Sequence, residues 1–519
     1  MAQWNRWLHN RISPNLKEHH RMITRFAARF LVAVLLAALV GTIPGMGIIP
    51  GMGLAPGLQS VQASQGAAPD AQPAGDPAPA VTLKKPRTIH APYLPSGHVS
   101  GERFGEMAIF WMGRVTSSEN YADVRVGYND QALFIHASVF DRLVWYDVKP
   151  DPARLTNFDA VTVLLNTGDL KAGSLAGQQY RFVSAMNWWE DHSLYQAGYT
   201  GASKKWAAAP DLLFESSAGY AGGQFNNGGE NRGWAMSFAI PFASLGLTEK
   251  PADGATWGLS VIVHDRDKKP PASTSTKTWP EKASSSKPST WGRLVFGTPA
   301  YSPAPSTGGG TTVVRHKLDG QKVVDAGVGG NIGHLCDASA IWSKWGSYRF
   351  GGQTDVIIQN QSNLHDWPCF AKYYVTFPLS KVPRGKVIKS ATLVMHLFGG
   401  SDWTQAKPSL IQVSTVNKDW KESTLTWNNA PLALENVAQT WVNPVDHAIQ
   451  PDEWPGWRYE WDVSAAVAEA YAARAPLRLA LYEADSDYHS GKIFTTSDTA
   501  DWNAEGRPTL IIEWGEKVK

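Results

Sequence analysis

Trp188 and Trp189 stand side by side at the end of a strand-like run, Tyr180 to Met186, and are followed by Glu190, Asp191 and His192. Side chains alternate across a strand, so two consecutive rings cannot both enter one core. One ring is left for stacking. A flat indole can meet the C–H face of a sugar while neighbouring amides and carboxylates bond its hydroxyls, and Asn187 and Asp191 supply those groups. Asn187, Trp188, Trp189 and Asp191 are therefore candidate ligand-binding residues. Trp206, in a polar loop after Lys204-Lys205, is a further stacking candidate. The chain holds 23 Trp, and most must be structural: Trp234 and Trp257 sit on apolar strand faces and Trp514 ends a strand.

Catalytic chemistry finds no comparable foothold. The sequence has no His-Glu-x-x-His, Gly-x-Ser-x-Gly, Cys-x-x-Cys or Walker loop. Gly327-Val-Gly-Gly-Asn-Ile-Gly reads as a glycine-rich turn, because no βαβ pattern surrounds it. Paired glycosidase carboxylates leave no fixed local spacing, but neither half of the chain reads as a catalytic barrel. No catalytic residue is expected. Lone histidines such as His136, opposite Leu133, Ile135 and Ala137, read as solvated. Loop carboxylates such as Asp265 and Asp267 could hold a structural Ca²⁺. No other cofactor is expected.

The elements that position these residues are almost all strands. Val124, Val126 and Tyr128 alternate before the turn pair Asn129-Asp130, and Leu133, Ile135, Ala137 and Val139 alternate after it, the mark of a hairpin. Val161 to Leu165, Trp234 to Ile240 and Trp257 to Val263 continue the pattern. Later in the chain Tyr374 to Phe377, Thr392 to Phe398, Leu410 to Val416, Leu477 to Tyr482 and Thr509 to Trp514 repeat it. One helix is expected at Ser464 to Ala473, capped by Asp462. The predicted fold is all-β, two tandem antiparallel, jelly-roll-like sandwiches.

Composition fixes the order of the parts. A basic stretch with Arg6, Arg11, Lys17, Arg21, Arg25 and Arg29 against Glu18 alone precedes the apolar run Phe30 to Val40, and Val61-Gln62-Ala63 has the small residues of a cleavage site. Residues 1–63 read as a signal peptide or membrane anchor. Gly41 and Pro44 interrupt the apolar run short of the roughly 20 residues that a spanning helix needs, which favours cleavage and peripheral or no membrane contact afterwards. Residues 64–90 are an Ala/Pro/Gly-rich linker, 91–298 the first sandwich, 299–312 a Pro/Gly/Ser linker and 313–519 the second sandwich. The polar run Lys268 to Thr290 reads as a long surface loop. Without its basic leader the chain is slightly acidic, which excludes the clustered Lys and Arg that nucleic acid demands. Cys336 and Cys369 are the only two cysteines, and export predicts a disulfide between them.

The first block resembles the family 9-like carbohydrate-binding modules, a DOMON-like sandwich group, in Tyr128-Asn-Asp-x-x-Leu-Phe-Ile, Phe158-Asp-Ala-Val-Thr-Val-Leu-Leu-Asn, Ile240-Pro-Phe-x-x-Leu-Gly and Trp257-Gly-Leu. The second resembles the DNRLRE-type domains, family 96 carbohydrate-binding modules. That likeness lies in Tyr374-Val-Thr-Phe-Pro-Leu, Ser390-Ala-Thr-Leu, Trp420-Lys-Glu-Ser-Thr-Leu-Thr-Trp-Asn-Asn-Ala-Pro, Trp461-Asp-Val and Arg507-Pro-Thr-Leu. The resemblances imply polysaccharide binding without chemistry, in an extracellular or cell-surface protein. The DOMON-like group also has haem-binding members, so a redox protein with axial ligands among Met107, Met112, Met186 and His136 is an alternative. A structural surface or matrix protein is another. The Trp420 to Pro431 motif reads as a structural corner, its Thr and Asn side chains bonding local backbone.

Overall fold

The computed structural model describes residues 85–95, 101–269, 273–330, 340–360, 369–400, 406–445, 454–484 and 491–518. The leader, most of the first linker and Cys336 lie outside them. The expected hairpin is present: Tyr128 faces Leu133 across the strands Glu119–Tyr128 and Ala132–Phe140. Its turn is held by the Asn129 carboxamide oxygen, which accepts from the N–H of Gln131 at 2.8 Å and of Ala132 at 2.9 Å, the local bonding that makes Asn a turn residue. The helix spans Ser464–Ala472. Asp462 accepts from the Ser464 N–H at 3.0 Å at its start.

Among the described residues the strands form three sheets. A five-stranded sheet runs Ala108–Thr116, Glu119–Tyr128, Ala132–Phe140, Gly233–Pro241, Glu215–Ala221, and a six-stranded one is built around Lys386–Gly400 and Thr509–Lys517. The third has 14 strands and belongs to both halves. From the second half it takes Ala371–Phe377, Leu477–Glu483, Ser409–Val416 and Ala433–Val442; from the first, Gly292–Phe296, Thr256–Asp265, Ala160–Asn166 and Gln179–Ala185. Thr88–Ala91 joins the two. It runs parallel to Gly292–Phe296 along its whole length and meets Ala433–Val442 where Thr88 faces Glu435.

Two sandwich cores result. One packs Phe110, Val124, Ile135, Val163, Trp234, Val261 and their neighbours; the other packs Val375, Leu393, Ile411, Trp461, Leu479 and Leu510. A third apolar cluster lies between the sandwiches, where Ile109, Trp111, Val115 and Phe140 from the first meet Phe370, Tyr374, Trp427 and Tyr482 from the second. Three amide side chains reinforce it. Gln412 accepts from the Ile109 N–H at 3.2 Å and donates to the Met107 carbonyl at 2.7 Å. Asn428 does the same to Val115 at 2.8 and 2.9 Å, and Asn436 to His90 at 2.8 and 3.0 Å. Gln412 and Asn428 thus stand in for a strand partner along Ala108–Thr116, the edge of the five-stranded sheet, and Asn436 extends the short pairing of its strand with Thr88–Ala91. The two sandwiches are one compact unit.

Several expectations change for the same reason. The second linker is partly strand: Ser306–Arg315 pairs with Thr509–Lys517. The run Lys268 to Thr290 contains the strand Ser275–Trp279 on Thr256–Asp265, and Trp279 is buried against Phe110, ring centroids 4.1 Å apart. Gly327 lies in the strand Val324–Gly329 rather than in a turn. His136 is buried, not solvated, because the outer face of its sheet is covered; its ring stacks on Phe104 at 4.0 Å. The Trp420 to Pro431 corner is structural as read, Asn429 and Thr426 bonding each other's backbone at 2.8 and 3.3 Å. Its Asn428 does more, since it fastens the second sandwich to the first.

Candidate functional site

The strand Gln179–Ala185 ends where the chain turns outward, and both indoles that follow are on the surface: Trp188 is 49% and Trp189 82% exposed. Their ring centroids lie 6.3 Å apart. Trp188 donates through its ring N–H to the Tyr220 hydroxyl at 3.0 Å and leans on Phe225 at 5.4 Å, while Tyr220 and Phe225 meet edge-on at 5.1 Å. An aromatic surface is thereby fixed in place. Glu190 anchors the turn, its carboxylate accepting from the N–H of Trp188 and of Trp189 at 3.1 Å each and from the Tyr146 hydroxyl at 3.0 Å. Burial, then the Glu190 carboxylate, push that phenol up to about 12.

The polar candidates beside the rings divide. Asn187 is buried, donating to the Glu190 carbonyl at 2.9 Å and bonding His192 through its oxygen, so it shapes the loop from below rather than reaching outward. Burial holds His192 down to about 4, and the ring is neutral at physiological pH. Asp191 is exposed and accepts from the Ser193 N–H at 3.0 Å; the Ser193 hydroxyl and then its N–H lower the Asp191 pKa. Trp206 belongs elsewhere. It is half-buried against Leu164, Ile262 and Trp291 and donates to the Ser285 carbonyl at 3.2 Å.

Tyr220 was missed by sequence reasoning because only the pairing of Glu215–Ala221 with Gly233–Pro241 carries it to this edge. A second exposed aromatic group was missed too. Trp454 (52% exposed) and Trp502 (68%) meet edge-on at 5.2 Å, with Phe398 5.3 Å from Trp454. Their signal was available, since both Trp are embedded in polar sequence.

A separate cluster gathers three buried carboxylates, Asp141, Asp159 and Asp265, whose oxygens lie within 4.8 Å of one another. Asp265 was a candidate; Asp267 is not in the group. Asp141 accepts from the Leu143 N–H and the Trp234 ring N–H, both at 2.9 Å. Asp159 accepts from the N–H of Trp145 and Arg266 at 2.6 and 2.7 Å. Asp265 accepts from the Ser275 hydroxyl at 2.9 Å, and its other oxygen is buried without a partner. Burial, then mutual repulsion, raises Asp141 and Asp159 well above the usual carboxylate range, and burial with Asp267 nearby brings Asp265 to about 6. Oxygen donors alone, fixed by backbone bonds and one unpartnered, suit a hard cation such as Ca²⁺.

The haem ligand set does not assemble. His136 engages both ring nitrogens, with the Ser237 hydroxyl at 2.8 Å and the Ser138 hydroxyl at 3.1 Å. The cavity it shares with Met107 holds about 150 Å³, below the roughly 300 Å³ at which small-molecule sites begin. Met112 and Met186 are packed in the core.

Residues 342–513 match the family model of carbohydrate-binding module family 96, within the block that resembles DNRLRE-type domains. A comparison with curated proteins returned no match. Among solved structures, a carbohydrate binding module family 9 from Caldicellulosiruptor kristjanssonii in complex with cellotriose is 15% identical, covering 40% of this chain and 93% of that one at a TM-score of 0.29. A putative carbohydrate-binding protein from Bacteroides uniformis is 14% identical, covering 41% and 100% at the same score. At these scores the likeness carries no functional weight.

Proposed function

We propose that this is an exported, non-catalytic polysaccharide-binding protein, and that a neutral or weakly charged sugar chain stacks on the surface made by Trp188, Trp189 and Tyr220. One observation carries the reading: two adjacent indoles are held open to solvent by bonds to Glu190 and Tyr220. Exposed rings so fixed lose little freedom when a sugar docks. The family 96 match in the second sandwich supports the same ligand class. Binding rests on stacking and a few hydrogen bonds, so dissociation constants on the order of micromolar to millimolar are expected per site. Affinity electrophoresis of the full chain against a polysaccharide panel tests it. Retardation should weaken in Trp188→Ala and Trp189→Ala; folded variants retarded as strongly as wild type would show the assignment to be wrong.

Two supporting features belong to the same reading. The acidic cluster holds a structural Ca²⁺ through Asp141, Asp159 and Asp265, supplying the positive charge that three buried carboxylates require. Cys369, buried two residues before the strand Ala371–Phe377, pairs with Cys336 in the oxidising compartment that the leader sequence addresses. Mass spectrometry of native secreted protein should find no alkylatable thiol; two would remove the bridge.

A further inference from the structure

Beyond the aromatic surface of the first sandwich, a cleft of about 300 Å³ opens where the two sandwiches meet. One wall belongs to the first sandwich, with Tyr93, Glu106 and Asp253; the other to the second, with Leu410, Gln439 and Trp441. Trp441 is 50% exposed and stands two residues from Gln439 on the same strand, so both present the same face. Leu410 lies opposite Trp441 across the strand pair and forms apolar floor beneath it.

The polar groups around the ring divide into held and free. Glu106 is clamped by Arg103 at 2.9 and 2.8 Å, which lowers its pKa and keeps it an acceptor. The Asp253 carboxylate and the Gln439 amide have no side-chain hydrogen bond among the described residues. An amide offers both donor and acceptor, and a carboxylate two acceptor oxygens. An open indole with an apolar floor, flanked by an amide and two carboxylates, is the recognition chemistry of a pyranose ring: C–H groups on the indole, hydroxyls on the polar rim.

We infer that the seam between the sandwiches is a second saccharide site, with Trp441 as its stacking ring and Gln439, Asp253 and Glu106 as its hydroxyl partners, and that it takes a short neutral segment of polysaccharide. The charge selects neutrality. Arg103 neutralises Glu106, which leaves the Asp253 carboxylate as the charge in the lining without an ion-pair partner among the described residues, so a uronate or sulfated sugar beside it would meet like charge. The site exists only in the assembled chain. Gln412 and Asn436, which bond Ile109, Met107 and His90, fasten the second sandwich beside it and hold the two walls in register.

Isothermal titration of the full chain with neutral cello-, xylo- and manno-oligosaccharides tests the assignment. Two sites per chain are expected, and Trp441→Ala should remove one, while the double change Trp188→Ala with Trp189→Ala removes the other. Gln439→Ala should weaken the seam site about tenfold without touching the other. A Trp441→Ala chain with wild-type stoichiometry and affinity overturns the seam site, even where the Trp188/Trp189 change abolishes binding. If instead the Trp188/Trp189 change loses nothing and Trp441→Ala loses all binding, the seam stands and the first surface falls. A wild-type chain that binds no member of the panel at millimolar concentration overturns both.

Discussion

Two buried charged clusters of this protein contrast sharply. At the junction of the sandwiches, Asp123 accepts from the hydroxyls of Tyr121 at 2.6 Å and Tyr482 at 2.8 Å, and Arg125 donates to the Ser138 hydroxyl at 3.0 Å and to the Ala484 carbonyl. Lys372 completes the group, bonded to the Tyr121 hydroxyl and surrounded by rings, with Trp427 at 3.7 Å and Trp111 at 4.3 Å. Both signs of charge are present and each has partners within the chain. The Asp141, Asp159 and Asp265 cluster has one sign only, makes no ion pair with Lys or Arg among the described residues, and leaves an oxygen of Asp265 unpartnered. A self-satisfied cluster is cement. An uncompensated one asks for something from outside, and so does the exposed Trp188 and Trp189 pair.

The largest effect should come from opening the cement. Asp123→Ala strips the acceptor from two buried hydroxyls and the counter-charge from Lys372, so urea unfolding should lose about 3–5 kcal/mol. A loss below about 1 kcal/mol would mean that the junction charges are not coupled.

Lys372 should make the junction pH-dependent in a defined direction. Burial lowers its pKa to about 7, against the opposing pull of Asp123. Between pH 7 and about 10 the unfolded chain therefore binds a proton that the folded chain lacks, and stability rises with pH across that window, at up to about 1.4 kcal/mol per pH unit. Below pH 7 both states hold the proton and the contribution is flat. Lys372→Met should abolish the slope; a slope unchanged in that variant would place its origin elsewhere.

The acidic cluster should respond to calcium where the junction does not. Ca²⁺ at about a hundred times its dissociation constant should stabilise the fold by about 2.7 kcal/mol, and EDTA should reverse it. Asp159→Asn should erase the response while Asp123→Ala retains it. A melting temperature insensitive to both Ca²⁺ and EDTA would leave the three carboxylates to share protons instead.

The smallest effect on stability belongs to the open rings. Trp189→Ala should change it by no more than about 0.5 kcal/mol, yet cost up to about tenfold in polysaccharide affinity, the worth of one stacking contact. A Trp189→Ala chain that unfolds early would place this ring with the cement.

Alternation and turn chemistry were enough to read the all-β class, the Asn129-Asp130 hairpin, the helix at Ser464 and the outward turn at Trp188, because each depends on residues within a few positions of one another. The sequence also held the polar surroundings that leave Trp454 and Trp502 exposed. Tertiary structure alone decided what lies on the second face of each strand. His136, Arg125 and Ser138 share one face of the hairpin and read as solvated, yet all are buried: the second sandwich closes over Arg125, which donates to the Ala484 carbonyl, and Phe104 closes over His136. The strand Thr88–Ala91 carries one sheet into the other across more than 300 residues of sequence, from Thr88 to Glu435. Asp141, Asp159 and Asp265 meet only because three strand ends converge. Local periodicity says which side chains share a face; it holds no information about which distant surface closes over that face, and that closure is set by long-range packing.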